Sequence, residues 1–293
     1  GREKFIEKIW DWKNQSGGMI TSQLRALGAS PDWSRERFTM DEGLSQAVRK
    51  VFVELFKEGL IYRDKRLVNW DPKLLTAISD LEVENIEKKS KLWYIKYPIQ
   101  SKKNFIIVAT TRPETMLGDS GIAVHPDDQR YIKLIGMKAI LPLVGREIPI
   151  IADEYSDPGK GSGAVKITPA HDFNDFEVGK RNNLEFINIF DEHAKINSFA
   201  PKEFQGLDRY EARKIILEKL KSNNLLIKEE KQQMVVPYGD RSGIVIEPFL
   251  TNQWFCDAKK LSLDPLKSVK SGATKFIPKQ WEKTFYNWME NIQ

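Results

Sequence analysis

The chain has 293 residues, 41% of them hydrophobic and 30% charged, which is ordinary globular material rather than disordered or fibrous, at a length that favours two domains over one. Its 46 basic and 41 acidic residues leave a formal charge of +5, with the excess at the C-terminal end, where residues 241–293 hold eight basic and five acidic groups; such a balance permits a nucleic-acid partner without demanding one. No apolar run approaches about 18 residues, the first twenty residues are charged throughout, and a single cysteine with three histidines offers neither a disulfide nor a zinc set, so a cytoplasmic protein with no membrane span and no metal is expected.

Residues 3–13 read as an amphipathic helix ended by Gly17-Gly18. A second helix follows, with capping-box spacing between Thr39 and Glu42, an apolar stripe from Leu44 to Phe56, and Gly59 as its stop. LIYRDKRLVNW (60–70) reads as a hairpin around Asp64-Lys65. The period then changes. LWYIKYPI (92–99) and FIIVATT (105–111) predict paired strands joined through residues 101–104, and further strands are predicted at 121–126, 139–143, 147–153, 163–169 and 186–191. Many short strands separated by Gly, Pro and Asp suggest a barrel-like β core, interrupted by helices at about 174–182 and at 210–221 behind Asp208. From Gln233 the chain turns extended, and 257–293 is lysine-rich with interleaved aromatics, which either grip a phosphate backbone or form the core of short helices. Cys256, after Trp254-Phe255, reads as buried and without a role. The fold class expected is α+β: a barrel-like core over 86–240, a helical lead-in over 1–85 and a return segment over 241–293.

Two segments are too polar for a plain β core. TTRPETMLGD (110–119) follows a strand directly and carries the hydroxyls of Thr110, Thr111 and Thr115, the fixed cation of Arg112 and the stiffening Pro113. Loops at strand ends commonly carry function, and such donors suit a carbonyl or phosphate oxygen. The plainer alternative is a capping loop with Arg112 in a surface ion pair. In GSGAVKITPAHDFNDFEVGKRNNL (161–184), Lys166 and Thr168 share one side of a strand, and Asp172 and Asp175 open a helix where its dipole favours carboxylates. Two acids beside Lys166 can hold an ammonium and a hydroxyl; the alternative makes Asp172 a simple N-cap and Asp175 a solvent residue. His171 reads as a structural hydrogen-bonder ahead of a base.

These strings in this order resemble the editing domain of valyl-tRNA synthetases, which are class I aminoacyl-tRNA synthetases. The resemblance covers nearly the whole chain: GREKFIEKIWDWK, LGASPDWSRERFTMDE, EGLIYRDKRLVNWDP and AISDLEVE look like the approach to that domain, and YGDRSGIVIEPFLTNQWF and NWMENIQ like the return from it. Asp71 departs from the family, which often has cysteine after Asn-Trp. Leucyl enzymes share a version of both polar segments, but not the flanking LGASPDWSRERFTMDE and SGIVIEPFLTNQWF.

Neither ATP-site motif of class I synthetases occurs in the sequence, so the resemblance implies an editing module, with the ATP and magnesium sites in the parent synthetase and no cofactor of its own. The expected activity is deacylation of threonine misattached to tRNA(Val), from a chain that is usually a monomer in this family. A pocket made for valine's methyls rejects near-isosteric threonine only modestly, and a second site that pairs the hydroxyl restores fidelity. The resemblance implies Asp175 for the α-ammonium and Asp172 for the side-chain hydroxyl, with Lys166 and Thr168 in the catalytic set. It places Arg112, Thr115, Thr110 and Thr111 among the substrate contacts. Two other readings are a leucyl-type editor and a tRNA-docking module without hydrolysis.

Overall fold

The computed structural model describes residues 1–100 and 104–292. In chain order the elements are helices α1 (Arg2–Ser16), α2 (Gly18–Ala26) and α3 (Glu42–Lys57), strands β1 (Ile61–Asp71), β2 (Thr76–Ile78), β3 (Val83–Pro98), β4 (Phe105–Thr110), β5 (Gly121–Val124), β6 (Lys138–Ile140), β7 (Glu147–Ala152) and β8 (Ala164–Ile167), helices α4 (Phe173–Arg181) and α5 (Arg209–Ser222), strands β9 (Leu226–Gly239) and β10 (Glu247–Cys256), and helices α6 (Ala258–Leu261), α7 (Leu263–Lys270) and α8 (Trp281–Glu290). They pack as two units, 1–62 with 255–293, and 63–254.

The smaller unit is helical. Asp41 caps α3 by accepting from the Leu44 amide, and Arg37 clamps the Asp41 carboxylate at 2.7 Å, so the cap is Asp41 in place of the expected Thr39. Phe276 and Phe285 pack ring on ring at 5.1 Å, while Trp281 and Trp288 are exposed, so the C-terminal aromatics only partly form a core. Cys256 is exposed, against expectation, because the alternation of its strand puts it on the outward face with Trp254.

The larger unit holds the main core and the whole of 86–240. Ile95 and Tyr97 alternate with more exposed neighbours along β3, as Ile106 and Val108 do along β4, and the antiparallel register sets Ile95 against Val108 and Tyr97 against Ile106. β4, β3 and β9 form one sheet in that order; β6, β7, β5 and β8 form a second, with β5 and β7 parallel and the other neighbours antiparallel. α5 lays Ala212, Ile216 and Leu220 on this core at helical spacing. β3 runs on with β9 as a polar ribbon, Val83 pairing Gly239, where both faces meet solvent and no apolar alternation is needed.

The architecture is mixed α and β, but the expected barrel is not a closed one. Among the described residues the two sheets touch at one edge through a single bridge between Ile99 and Ala139, and at the other β4 lies alongside β8 with no ladder joining them. Other expectations also give way. Residues 60–70 form no hairpin, because 61–71 is one continuous strand between β10 and β2. Residues 186–191 contribute only an isolated bridge, Phe190 to Ile196. The expected 101–104 link lies mostly outside the described residues.

Candidate active site

The seam between β4 and β8 opens into a cavity of about 190 Å³. Leu92, Ala109 and Thr110 from the first sheet, Val165 and Lys166 from β8, the turn Thr111-Arg112 with Thr115, and His171, Asp172 and Asp175 at the start of α4 all line it, together with Tyr155. The two polar segments, about fifty residues apart in sequence, therefore share one hollow. Of the residues expected to bind substrate or catalyse, Thr168 is not on the wall; it is fully buried behind Lys166.

Helix α4 sets the carboxylates. Asp172 is its N-cap, and Asp172 Oδ1 accepts from the amides of Asn174 at 2.8 Å and Asp175 at 3.1 Å. Asp175 Oδ2 accepts the Thr168 amide at 2.9 Å. Each acid thus gives one oxygen to the backbone and keeps the other, so capping and ligand binding do not compete. Gly179 lets the helix sit close: a Cβ there would lie 2.5 Å from Pro169 Cγ, in the turn that leads from β8 to the helix start.

Beneath the wall lies a completely buried carboxylate, Asp119. It accepts from the Thr168 hydroxyl at 2.7 Å, from Tyr97 at 2.7 Å and from Lys166 Nζ at 3.3 Å, and Lys166 also donates to Thr168. Burial raises the Asp119 pKa in spite of Lys166. Burial likewise raises that of Asp175, with Lys166 pulling the other way and Asp172 and Asp119 adding to the rise. Asp119, Asp172 and Asp175 surround the one ammonium of Lys166, while the Arg112 guanidinium on the same wall is taken up by Glu114 and Glu247, which leaves the carboxylates in excess. Tyr155, at the wall, has its phenol pKa raised by burial and by Asp175 and Asp172.

The Arg112 turn is held from behind. Arg112 donates to Glu114 Oε1 at 3.3 Å, to the His171 carbonyl at 3.2 Å and to Glu247. Both carboxylates are almost fully buried and each has a second arginine: Arg213 on Glu114 at 2.7 and 2.8 Å, Arg209 on Glu247 at 2.6 Å. Burial lowers the Arg112 pKa, but Glu247 and Glu114 outweigh it and the net shift is upward. The Thr115 hydroxyl donates to the Arg112 carbonyl at 3.0 Å and Thr110 Oγ1 accepts the Arg112 amide at 3.1 Å, while the Thr111 hydroxyl has no partner among the described residues. The plainer reading of Arg112 in a surface ion pair does not fit, because its partners Glu114 and Glu247 are both buried.

Sequence reasoning missed Asp119, Glu114, Glu247 and Tyr155. Glu114 and Asp119 stand inside the quoted TTRPETMLGD, and Glu247 is a lone carboxylate after the apolar run GIVI, which is a signal for a buried pair. Tyr155 gives no signal. Among the described residues no group of three or more His, Cys, Asp or Glu is arranged to hold a metal ion.

Residues 1–293 match the family of class I tRNA synthetases (I, L, M and V). The chain is 61% identical to a valine–tRNA ligase of Rhodopseudomonas palustris and 60% identical to one of Pelagibacter ubique, in each case over all of this chain and about a third of the relative, 33% and 34%. A solved ternary complex of a leucyl-tRNA synthetase with tRNA, from Agrobacterium radiobacter K84, is similar at 17% identity and a TM-score of 0.37, covering 81% of this chain and 37% of that one. That likeness is too shallow to argue from.

Proposed function

The chain belongs to the class I tRNA synthetases (I, L, M and V), and from that premise we propose that it is the proofreading segment of a valine–tRNA ligase, hydrolysing the ester of threonine misattached to tRNA(Val). The observation that carries this reading is the single cavity shared by the Arg112 turn, Lys166 and the Asp172–Asp175 helix start. Its size suits one small amino acid. Its excess of carboxylate over ammonium suits the α-ammonium of an aminoacyl ester, which supplies the missing positive charge.

Asp175 Oδ1 takes the ammonium, and Asp172 Oδ2 accepts the β-hydroxyl of threonine. Valine presents a methyl at that place and displaces water from the half-buried Asp172 acceptor without replacing its hydrogen bond, a cost of about 1–3 kcal/mol. Lys166, fixed by Asp119 and Thr168, stands where it can donate to the ester oxygen as negative charge develops there. The Thr111 hydroxyl is available to the same oxygen or to the attacking water. An aminoacyl ester is already reactive, so positioning and oxyanion stabilisation suffice without a covalent nucleophile. Arg112 acts by holding its turn against His171 and Glu247, so that the threonines face the cavity.

The test is deacylation of threonyl-tRNA(Val) and valyl-tRNA(Val) by the purified chain, side by side. The proposal expects the threonyl ester to be cleaved far faster. Salt-dependent tRNA binding without cleavage makes the segment a docking module, and faster cleavage of an ester on tRNA(Leu) makes it a leucyl-type editor.

A further inference from the structure

His171 lines the cavity, yet its ring is almost wholly buried and one ring nitrogen finds no partner among the described residues. The other nitrogen fixes the tautomer. Nε2 accepts the Ile189 amide at 2.9 Å, so Nε2 carries no proton and, in the neutral ring, Nδ1 must. Neutrality is enforced: burial lowers the pKa well below the ordinary value, and the charges of Arg112 and Lys166 push the same way. The ring is also held edge-on against Phe190, with centroids 4.8 Å apart. The His171 carbonyl is already taken by Arg112. What the residue has left is one oriented N–H.

A buried donor without an acceptor is costly to the fold, and a group that persists at that cost beside a cavity is a donor waiting for a ligand. We propose that the His171 Nδ1–H donates to the side-chain hydroxyl oxygen of the bound threonyl group, while Asp172 accepts a hydrogen bond from that hydroxyl. Threonine then satisfies a donor and an acceptor at once, whereas valine strands both. The proposal deepens the editing reading and rests on it: it makes His171 a second residue of selectivity, acting on the lone pair that Asp172 leaves free. No proton is transferred, and the imidazole stays neutral throughout.

Two substitutions separate this role from the structural one. His171→Gln keeps an acceptor near Nε2 for the Ile189 amide and removes the Nδ1 donor. His171→Asn keeps a donor near Nδ1 and removes the acceptor. H171Q is expected to retain its melting temperature and to lose at least tenfold in the ratio of kcat/KM for threonyl-tRNA over valyl-tRNA; H171N is expected to melt earlier with the ratio kept. A direct readout comes from the chain labelled with ¹⁵N-histidine. The Nδ1–H resonance, assigned by its loss in H171Q, should shift on saturation with 3′-threonylamino-3′-deoxyadenosine and stay in place with the valyl analogue.

An unchanged ratio in H171Q, or an Nδ1–H that ignores the bound threonyl analogue, overturns the donor role and leaves the editing reading standing. Failure of the unaltered chain both to bind that analogue and to deacylate threonyl-tRNA overturns the editing reading itself, and this inference with it.

Discussion

Lys166 Nζ lies 3.3 Å from Asp119 Oδ1, and both side chains are shut away from water, the aspartate entirely. The lysine faces the cavity, but its charge is anchored from below by a residue that never reaches the cavity wall. Removing one member of a buried pair strands the other, at a cost of roughly 3–5 kcal/mol. Asp119→Ala should therefore lower stability by about that amount in urea titration, with an unchanged m-value, because Tyr97 and Thr168 lose their acceptor as well. Adding Lys166→Met should recover part of the loss without recovering deacylation. Equal stability of Asp119→Ala and the unaltered chain would show that the pair is not the anchor.

The pH dependence follows from Asp175. Burial, with Asp172 and Asp119 adding and Lys166 opposing, pushes its pKa from 3.8 up to about 7. The ammonium-binding form is the ionised one, so kcat/KM for threonyl-tRNA should rise with pH through about 7 and fall again as the substrate α-amino group deprotonates at about 7.7–8.0, once uncatalysed hydrolysis is subtracted. Asp175→Asn keeps an acceptor for the Thr168 amide and should lose the rising limb along with most of the activity. Stability has its own sign. A carboxylate with a raised folded pKa costs nothing below about 4, and stability is lost as pH climbs from there through about 7. The gap between Asp175→Asn and the unaltered chain should thus shift in favour of the variant over that range. Thermal melts at pH 4 and pH 8 check it, and a constant gap would mean that Asp175 titrates normally.

Much of this site was legible because its chemistry sits in short local strings. A strand that ends in a hydroxyl-rich turn, and an aspartate directly before a helical stretch, are sequence-near patterns with local causes, and the structure places both on one cavity. The residues that fix them were not legible for the opposite reason. Glu247 reaches Arg112 across 135 residues, and Asp119 reaches Lys166 across 47, and no periodicity encodes such partners. The same limit explains the unclosed barrel. Alternation marks Ile106 and Val108 as inward, but whether β4 hydrogen-bonds to β8 depends on where distant strands stop. Asp64-Lys65 looked like a turn because polar pairs often are; in a strand exposed along that stretch they are only solvent-facing positions.

Arg112 distinguishes a positioning role from a contact role. If it bound substrate alone, its truncation would cost activity and leave stability untouched. With Glu114 and Glu247 buried against it, Arg112→Ala should cost about 1–3 kcal/mol of stability as well, limited because Arg213 and Arg209 still serve the two carboxylates. Arg112→Lys should restore little, since one ammonium does not span two carboxylates and the His171 carbonyl as a guanidinium does. Melting temperature and deacylation measured on the same preparations decide between the roles, and a fully stable, inactive Arg112→Ala would assign the residue to the substrate.

Asp172 carries two duties on two oxygens, and paired substitutions pull them apart. Asp172→Asn retains an oxygen that can accept the Asn174 and Asp175 amides, so α4 should keep its cap and stability should change by no more than about 0.5 kcal/mol. It replaces the free acceptor with an amide, so the preference for threonyl over valyl ester should fall. Asp172→Ala removes cap and acceptor together and should lose the preference plus roughly 0.5–2 kcal/mol. Because the cap also orients the Asp175 amide, the alanine variant should lose more threonyl activity than the asparagine one, whereas the two should fall alike if selectivity depends on the free oxygen alone. Side-by-side kcat/KM values for the two esters separate the cases. An asparagine variant with normal selectivity would leave Asp172 as nothing more than the cap that begins the helix.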